Sequence, residues 1–432
     1  MQRAEICLAL LTILISLFNS AVAHAESTAA PASQPAGNKF LITNFGANGD
    51  GTTLNTKSIQ DAIDQAASSG GGTVLIPAGT FLSGALFLKP GVNLHLEKDA
   101  VLKGTTDTKD YPKSVTRIEG HFEPWLPALV NAEKCDRLRI TGEGTLDGSG
   151  EPFWTEFRRR IAADRKTKNL DVERPRLIFI RDSNDVQVRN IHLKDSGFWN
   201  LHLYRCRDVV VEGLDIKAGP TSPSTDGVDV DSSQNVEIRG CQFSVNDDCI
   251  ALKGSKGPLA LDDKDSPPVE HIRIIDCTVT HGESIVTCGS EATIVRDVTV
   301  ENCRTSGLTK RGFAALRLKL RPDTPQSYEN IQIRDITLDG TGSVITIAPW
   351  TQYFDLQGHS PPTETVRNVT ISGVKGSCTT LGSIRGNKGN VIENVTFENI
   401  DLKTTTPKPD LSGVTNLVVK DVKINGEAFT GP

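Results

Sequence analysis

One short pattern recurs ten times between Leu138 and the C-terminus, and it restricts the fold more than any other feature of this 432-residue chain. The aligned starts are Leu138, Val186, Val209, Val236, Ile272, Val298, Ile331, Val369, Val395 and Leu417. Two residues after each start stands another apolar residue, from Ile140 and Val188 to Phe397 and Val419, which is the period of a strand with one buried face. Four residues after each start stands Gly, Asn or Asp: Gly142, Asn190, Gly213, Gly240, Asp276, Asn302, Asp335, Gly373, Asn399 and Asp421. These types tolerate left-handed backbone, so every strand is expected to end in a sharp bend. An apolar residue or cysteine then follows, as in Ile191, Leu214, Cys241, Cys277 and Cys303, with Glu143 the exception.

Most starts lie 22 to 27 residues apart, and the longer gaps read as loops inserted into the same repeat. Short strands separated by bends at that period describe an all-β fold, a single parallel β-helix. A leucine-rich repeat would need its leucine and asparagine ladder, and a propeller would need longer repeats. With one methionine and 5% aromatic residues, aliphatic side chains must fill the core. An open solenoid end exposes that core, and Asn55 to Ser69 supplies an N-terminal capping helix with Ile59, Ala62, Ile63, Ala66 and Ala67 on one face. A second helix is expected over Glu151 to Asp164, carrying Arg158, Arg159 and Arg160 on a solvated face or in a groove wall.

Arg3 precedes an apolar run from Ile6 to Phe18, and Ala21-Val22-Ala23 and Ala23-His24-Ala25 offer cleavage sites. Residues 1–25 read as a secretory signal, too short for a confident membrane span. Residues 26–38 read as a flexible lead-in and 39–432 as the β-helix domain. The expected location is secreted or periplasmic, with no membrane association after removal of the signal. Cleavage removes Cys7 and leaves eight of nine cysteines. The net charge of −6 argues against nucleic acid as a partner. A monomer is expected.

Each coil carries a second strand: Asp226 to Val230, Asp248 to Leu252, Ser284 to Thr287 and Leu316 to Leu320. These should stack. With Val228, Val230, Ile250, Leu252, Leu316, Leu318 and Leu320 inward, parity puts Asp247, Arg317 and Lys319 outward. Asp226 and Asp248 occupy equivalent strand starts on neighbouring coils, so at ~4.8 Å per coil Asp226, Asp247 and Asp248 crowd one spot. Crowded carboxylates repel, which raises at least one pKa and gives a proton donor beside ionised neighbours, the equipment of a glycosidase. The outward Arg317 and Lys319, two coils or ~10 Å beyond, stand about one sugar residue away and suit an anionic substituent. Asp262, Asp263 and Asp265 read as a solvated loop rather than a calcium site. Zinc is disfavoured because no C-x-x-C pair occurs.

Ser224-Thr-Asp226-Gly, Asn246-Asp-Asp248, His281-Gly282 and Arg317-Leu-Lys319 resemble, in order and register, the four signature motifs of glycoside hydrolase family 28, the polygalacturonases. Asn44 to Gly51, Gly70 to Gly79 and Gly142 to Gly148 are also similar to that family, so the resemblance runs from about residue 40 nearly to the end. It implies a right-handed helix and inverting hydrolysis of α-galacturonide-type bonds in a pectic polysaccharide, without metal or other cofactor. By resemblance Asp247 is the general acid, Asp226 and Asp248 activate water, and His281 supports the acid. Arg317 and Lys319 then bind the uronate carboxylate, with Tyr328 and Lys253 as further substrate contacts. Inversion needs room for a water between acid and base, so the loops are expected to splay the acids. A Cys249–Cys277 bridge would match the family, while the shared register of Cys241, Cys277 and Cys303 suits a ladder of free thiols equally. Ser224, Asn246 and Thr280 depart from the family pattern, which leaves rhamnogalacturonan or a decorated pectin open as substrate. A polysaccharide lyase and a non-catalytic, glycan-binding β-helix are the alternatives on the same fold.

Overall fold

The repeat closes into a stack of parallel coils. The structure, a computed structural model, describes residues 37–431; the expected signal and nearly all of the lead-in lie outside them. Val186 pairs with Val209, Val209 with Val236, and so on through Ile272, Val298, Ile331, Val369, Val395 and Leu417, always parallel and start against start. The helix is right-handed, the hand that parallel crossovers take. All ten bend residues have positive φ, from 52° at Asn302 and Asp421 to 129° at Gly142.

A second left-handed row was hidden in the same repeat. The residue before every start also has positive φ: Arg137, Asp185, Asp208, Asn235, His271, Asp297, Asn330, Asn368, Asn394 and Asn416. Most are Asn or Asp, whose short polar side chains favour this backbone region. They also stack: Asn368 Nδ2 donates to Asn330 Oδ1 at 3.0 Å, Asn394 to Asn368 at 3.1 Å and Asn416 to Asn394 at 2.7 Å. Two bends per coil, five residues apart, bracket each repeat strand.

Parallel pairing begins well before Leu138. Phe40 pairs with Val74, Val74 with Leu94 and Leu94 with Ile140. Ile76 and Leu96 stand in register where later coils have Gly, Asn or Asp, so the early coils escape the pattern. Helix α1 (Thr56–Ser68) lies at this end with Ile59, Ala62, Ile63 and Ala66 fully buried. Helix α2 (Glu151–Ala163) buries Phe153, Trp154 and Phe157 and exposes most of its arginines.

A separate ten-stranded parallel sheet forms the face that matters for function. Its strands are β1 (Leu86–Leu88), β2 (Val130–Glu133), β3 (Ile178–Arg181), β4 (Leu201–Tyr204), β5 (Val228–Asp231), β6 (Ile250–Lys253), β7 (Ser284–Cys288), β8 (Ala314–Leu320), β9 (Ser343–Pro349) and β10 (Thr380–Ile384). Val228, Ile250, Val286 and Leu316 stack in one inward row, as the parity argument requires. The neighbouring outward row is His202, Asp229, Ala251, Thr287 and Arg317.

The eight remaining cysteines are all free and buried. Cys277 sits within a thiol ladder, its N–H donating to Cys303 Sγ at 3.4 Å, so the Cys249–Cys277 bridge does not form. Cys249 instead fills the space left by two glycines. A Cβ on Gly227 would meet the Cys249 carbonyl oxygen at 2.4 Å, and one on Gly282 would meet Cys249 Sγ at 2.5 Å.

Candidate active site

The starts of β5 and β6 bring the three aspartates together. One carboxylate oxygen from each of Asp226, Asp247 and Asp248 lies within 4.8 Å of the others. The loops therefore do not splay them as expected. Asp226 and Asp248 occupy stacked strand starts, and Asp247 folds back so that its Oδ1 accepts the Asp248 N–H at 3.0 Å. Asp226 and Asp248 are buried, whereas Asp247 is partly exposed to the groove. Asp226 and Asp247 line a cavity of about 280 Å³ with Trp199, Trp350, Glu283, Lys253 and Lys319, and the buried Asp248 is tied to that lining through Lys319.

Asp248 is built to stay ionised. The hydroxyls of Ser284 and Thr287 donate to its Oδ1 at 3.1 and 2.6 Å, and Lys319 Nζ donates to its Oδ2 at 2.6 Å. Burial alone would raise its pKa, but the ammonium of Lys319, then Arg317 and Lys253, reverses this and holds it at about 2. Asp226 behaves in the opposite way. Burial, reinforced by the charge of Asp247, pushes its pKa well above the ordinary value, and Lys253 opposes this only in part. Two carboxyls one coil apart are thus driven to opposite protonation tendencies, the separation that acid–base chemistry uses.

The basic pair is not one sugar away from the acids. Lys319 does project outward, but its long side chain spans the two coils back to Asp248, and its Nζ also lies 4.6 Å from the centre of the Trp350 ring. Arg317 Nη1 donates to Glu283 Oε2 at 2.6 Å, and its Nη2 bonds the Gly312 carbonyl. Its Nε is buried without a partner. Glu283 lines the cavity; burial and then Asp247 raise its pKa, against Arg317.

Lys253 is committed to acids rather than open to solvent. Its Nζ lies 3.4 Å from Asp226 Oδ2, 3.5 Å from Asp229 Oδ1 and 3.8 Å from Glu291 Oε2, and it sits over the Trp199 ring at 4.6 Å. Its own pKa is driven upward by these carboxylates despite burial. His281 stands on the adjacent coil with its Nε2 buried and unpartnered. Burial and then the Lys310 ammonium hold it below its usual pKa, so it is a neutral imidazole near pH 7. Lys310 is itself anchored to Asn246, at 2.8 Å to the carbonyl and 2.7 Å to Oδ1. Tyr328 is displaced from its expected role. It lies in the repeat sheet, fully buried, with its hydroxyl donating to the Lys319 carbonyl at 3.3 Å and accepting from Gln326 Nε2 at 2.6 Å. It braces the strand that carries Lys319 from within the core and reaches no substrate.

Inserted loops raise walls around this floor. The antiparallel hairpin Ser114–Ile118 with His121–Trp125 is pinned by Arg117, which donates to Asp231 Oδ2 at 3.1 Å and to Ser255 Oγ at 3.2 Å. Arg117 also bonds Asp263, and Arg205 pairs with Asp265, so the acidic loop serves protein cations. The hairpin turn places Glu119 in the cavity wall. The segment before β3 supplies Asn169, and the loop after β9 supplies Gln352. These two segments leave opposite ends of the sheet and meet across it, where Tyr353 Oη donates to the Thr167 carbonyl at 3.4 Å. Arg321 holds that loop by its Gln352 and Tyr353 carbonyls.

Sequence reasoning missed Asp229, Glu283, Glu119, Glu291 and both tryptophans. Asp229 was within reach, since Val228 and Val230 inward make it outward. Glu283 and Trp199 were within reach too, since the strand register aligns them with Asp247 and Asp226 on neighbouring coils, whereas Glu119, Glu291 and Trp350 sit in turns and loops where no periodicity points. The three clustered aspartates could also ligate a cation, but Lys253 and Lys319 already supply positive charge there, and we assign them to proton chemistry.

A family model for glycosyl hydrolases family 28 matches residues 68–425. A probable polygalacturonase from Vitis vinifera is 34% identical over 221 residues, 49% of this chain and 43% of that protein, so the match spans under half of that relative. An exopolygalacturonase from Zea mays is 30% identical over 328 residues, covering 72% of this chain and 71% of the relative. Among solved structures, an exopolygalacturonase from Thermotoga maritima superposes with a TM-score of 0.75 at 24% identity, covering 91% of this chain and 93% of that one.

Proposed function

The chain belongs to glycosyl hydrolases family 28 and is a glycoside hydrolase, and from that premise we propose that it cleaves α-galacturonide bonds of pectic polysaccharide with inversion. The observation that carries the reading is the cluster of the Asp226, Asp247 and Asp248 carboxylates beside the Lys319 ammonium, at a cavity that Asp226, Asp247 and Lys319 line. Asp247, the partly exposed acid, protonates the glycosidic oxygen as the bond to the anomeric carbon breaks. Asp226, in the ionised form that Lys253 supports, and Asp248 orient a water whose oxygen joins that carbon. The water's proton passes to Asp226, the stronger base of the two because its proton affinity is raised. The proton returns from Asp226 to Asp247 over a gap within 4.8 Å, short enough for one bridging water, and the site is reset. Lys319 retains donors beyond the one given to Asp248 and offers them to the substrate carboxylate. The signal-like N-terminus makes the enzyme a secreted or periplasmic one, acting as a monomer.

Carboxyls as close as these are associated in general with retention, so inversion rests on the family and the product anomer decides it. The strap in which Tyr353 meets Thr167 across the groove supports attack at a chain end. The test is hydrolysis of polygalacturonate with products resolved by chromatography. Release of monomer from the first time point, with slow loss of viscosity, is expected. A ladder of oligomers would refute action at a chain end, and no cleavage would refute the substrate.

A further inference from the structure

One buried carboxyl next to the site has no role in this chemistry. Asp229 lies on the outward face of β5, fully buried, and neither of its oxygens has a hydrogen-bond partner. A carboxylate taken out of water without hydrogen bonds is strongly disfavoured, and the nearest cation does not compensate for it alone. Lys253 faces Asp226, Asp229 and Glu291 at once, at 3.4, 3.5 and 3.8 Å. A single ammonium cannot neutralise three carboxylates in a dry pocket.

The surrounding charges leave the same gap. On β4, the register neighbour His202 is itself buried and held neutral near pH 7, with a pKa lowered to about 4, chiefly by burial. Behind it Arg176 is given to the Arg117 carbonyl, Thr116 and His202. From the next coil, Asp247 and Asp248 add negative charge. On the same strand, Asp231 is satisfied by Arg117 and His202. Lys253 therefore remains the one cation in ion-pair contact with Asp229 among the described residues.

We propose that Asp229 is a positioning residue for the hydrolysis, a carboxylic acid kept neutral so that the Lys253 ammonium serves Asp226, and that its ionisation sets the alkaline limit of activity. Burial pushes the Asp229 pKa up to about 8, against the pull of Lys253, which agrees with this reading. Once Asp229 ionises, Lys253 is divided between two carboxylates, the proton affinity of Asp226 rises further, and Asp226 no longer cycles its proton. The inference rests on the role given above to Asp226.

The test compares wild type with Asp229→Asn, which fixes the neutral shape. The pH profile of kcat/KM on polygalacturonate should retain its acid limb, while the alkaline limb moves up by about one pH unit or more and activity at acidic pH stays within about tenfold of wild type. A second arm needs no substrate: the melting temperature of wild type should fall from pH 6 to pH 9, and that fall should shrink in Asp229→Asn. An unmoved alkaline limb with an unmoved melting profile would overturn the proposal. So would a loss of about 100-fold or more at every pH in a variant that melts like wild type, because an ionised Asp229 would then be required. If wild type does not cleave polygalacturonate, the substrate reading fails, and the melting arm still reports on Asp229.

Discussion

Replacing Lys319 by Met removes one ammonium and keeps the aliphatic stem, which isolates the contact to Asp248. In the native state that contact, with Arg317 and Lys253, holds Asp248 at about 2 against an ordinary value of 3.8. The difference is worth roughly 2 kcal/mol at neutral pH. Truncating one member of a buried pair also strands the other, which typically costs ~3–5 kcal/mol. We expect Lys319→Met to lose about 2–5 kcal/mol of stability at pH 7, read by urea unfolding. The sign follows from the depressed pKa. Stabilisation by ionised Asp248 is present above its unfolded value and is lost as pH falls from about 4 towards 2, so the gap between wild type and variant should close on acidification. Because Lys319 holds the carboxylate proposed to activate water, the variant should lose rate on a galacturonide and on its methyl ester alike, with a further rise in KM only for the acid. A stability loss below about 0.5 kcal/mol, or full activity on the ester, would refute the reasoning.

Asp247→Asn should lower hydrolysis by ~100-fold to 10,000-fold while leaving the melting temperature near that of wild type; activity within a few-fold would remove Asp247 from the mechanism. Tyr328→Phe deletes a hydroxyl bonded only within the core, so it should cost ~1 kcal/mol in urea unfolding with KM unchanged, and a several-fold rise in KM without a stability change would restore it to the groove. The buried thiols should resist alkylation in the native protein and all react on unfolding without reductant, as followed by intact mass. A mass two daltons low after unfolding would reveal a disulfide instead.

The coil stack was legible because its bends are chemical. Gly, Asn and Asp at the fourth position past each start announce left-handed backbone, and all ten residues adopt it. The companion row before each start carried the same signal in Asn330, Asn368, Asn394 and Asn416, and a search for paired bends would have found it. The first coils were illegible because Ile76 and Leu96 turn without such a residue. At the site, strand parity placed the acids and the basic pair on one face, yet parity counts Cα positions and not side-chain reach. It put Lys319 a sugar away from Asp248, when four methylenes close that distance. It also gave no access to Tyr328, whose place in the repeat sheet turns it inward, or to Glu119, Asn169 and Gln352, which inserted loops bring over the floor. Motif resemblance supplied the catalytic roles; the burial that separates Asp226 from Asp248 is visible only in three dimensions.

The central claim is that the three aspartates beside Lys319 hydrolyse a galacturonide bond with inversion, and proton NMR of the first product formed from an α-linked galacturonide oligomer tests it most directly. The product should be saturated, with its newly formed reducing end appearing first as the β-anomer and then mutarotating. An α-anomer formed first, or an unsaturated product absorbing in the ultraviolet, would contradict it.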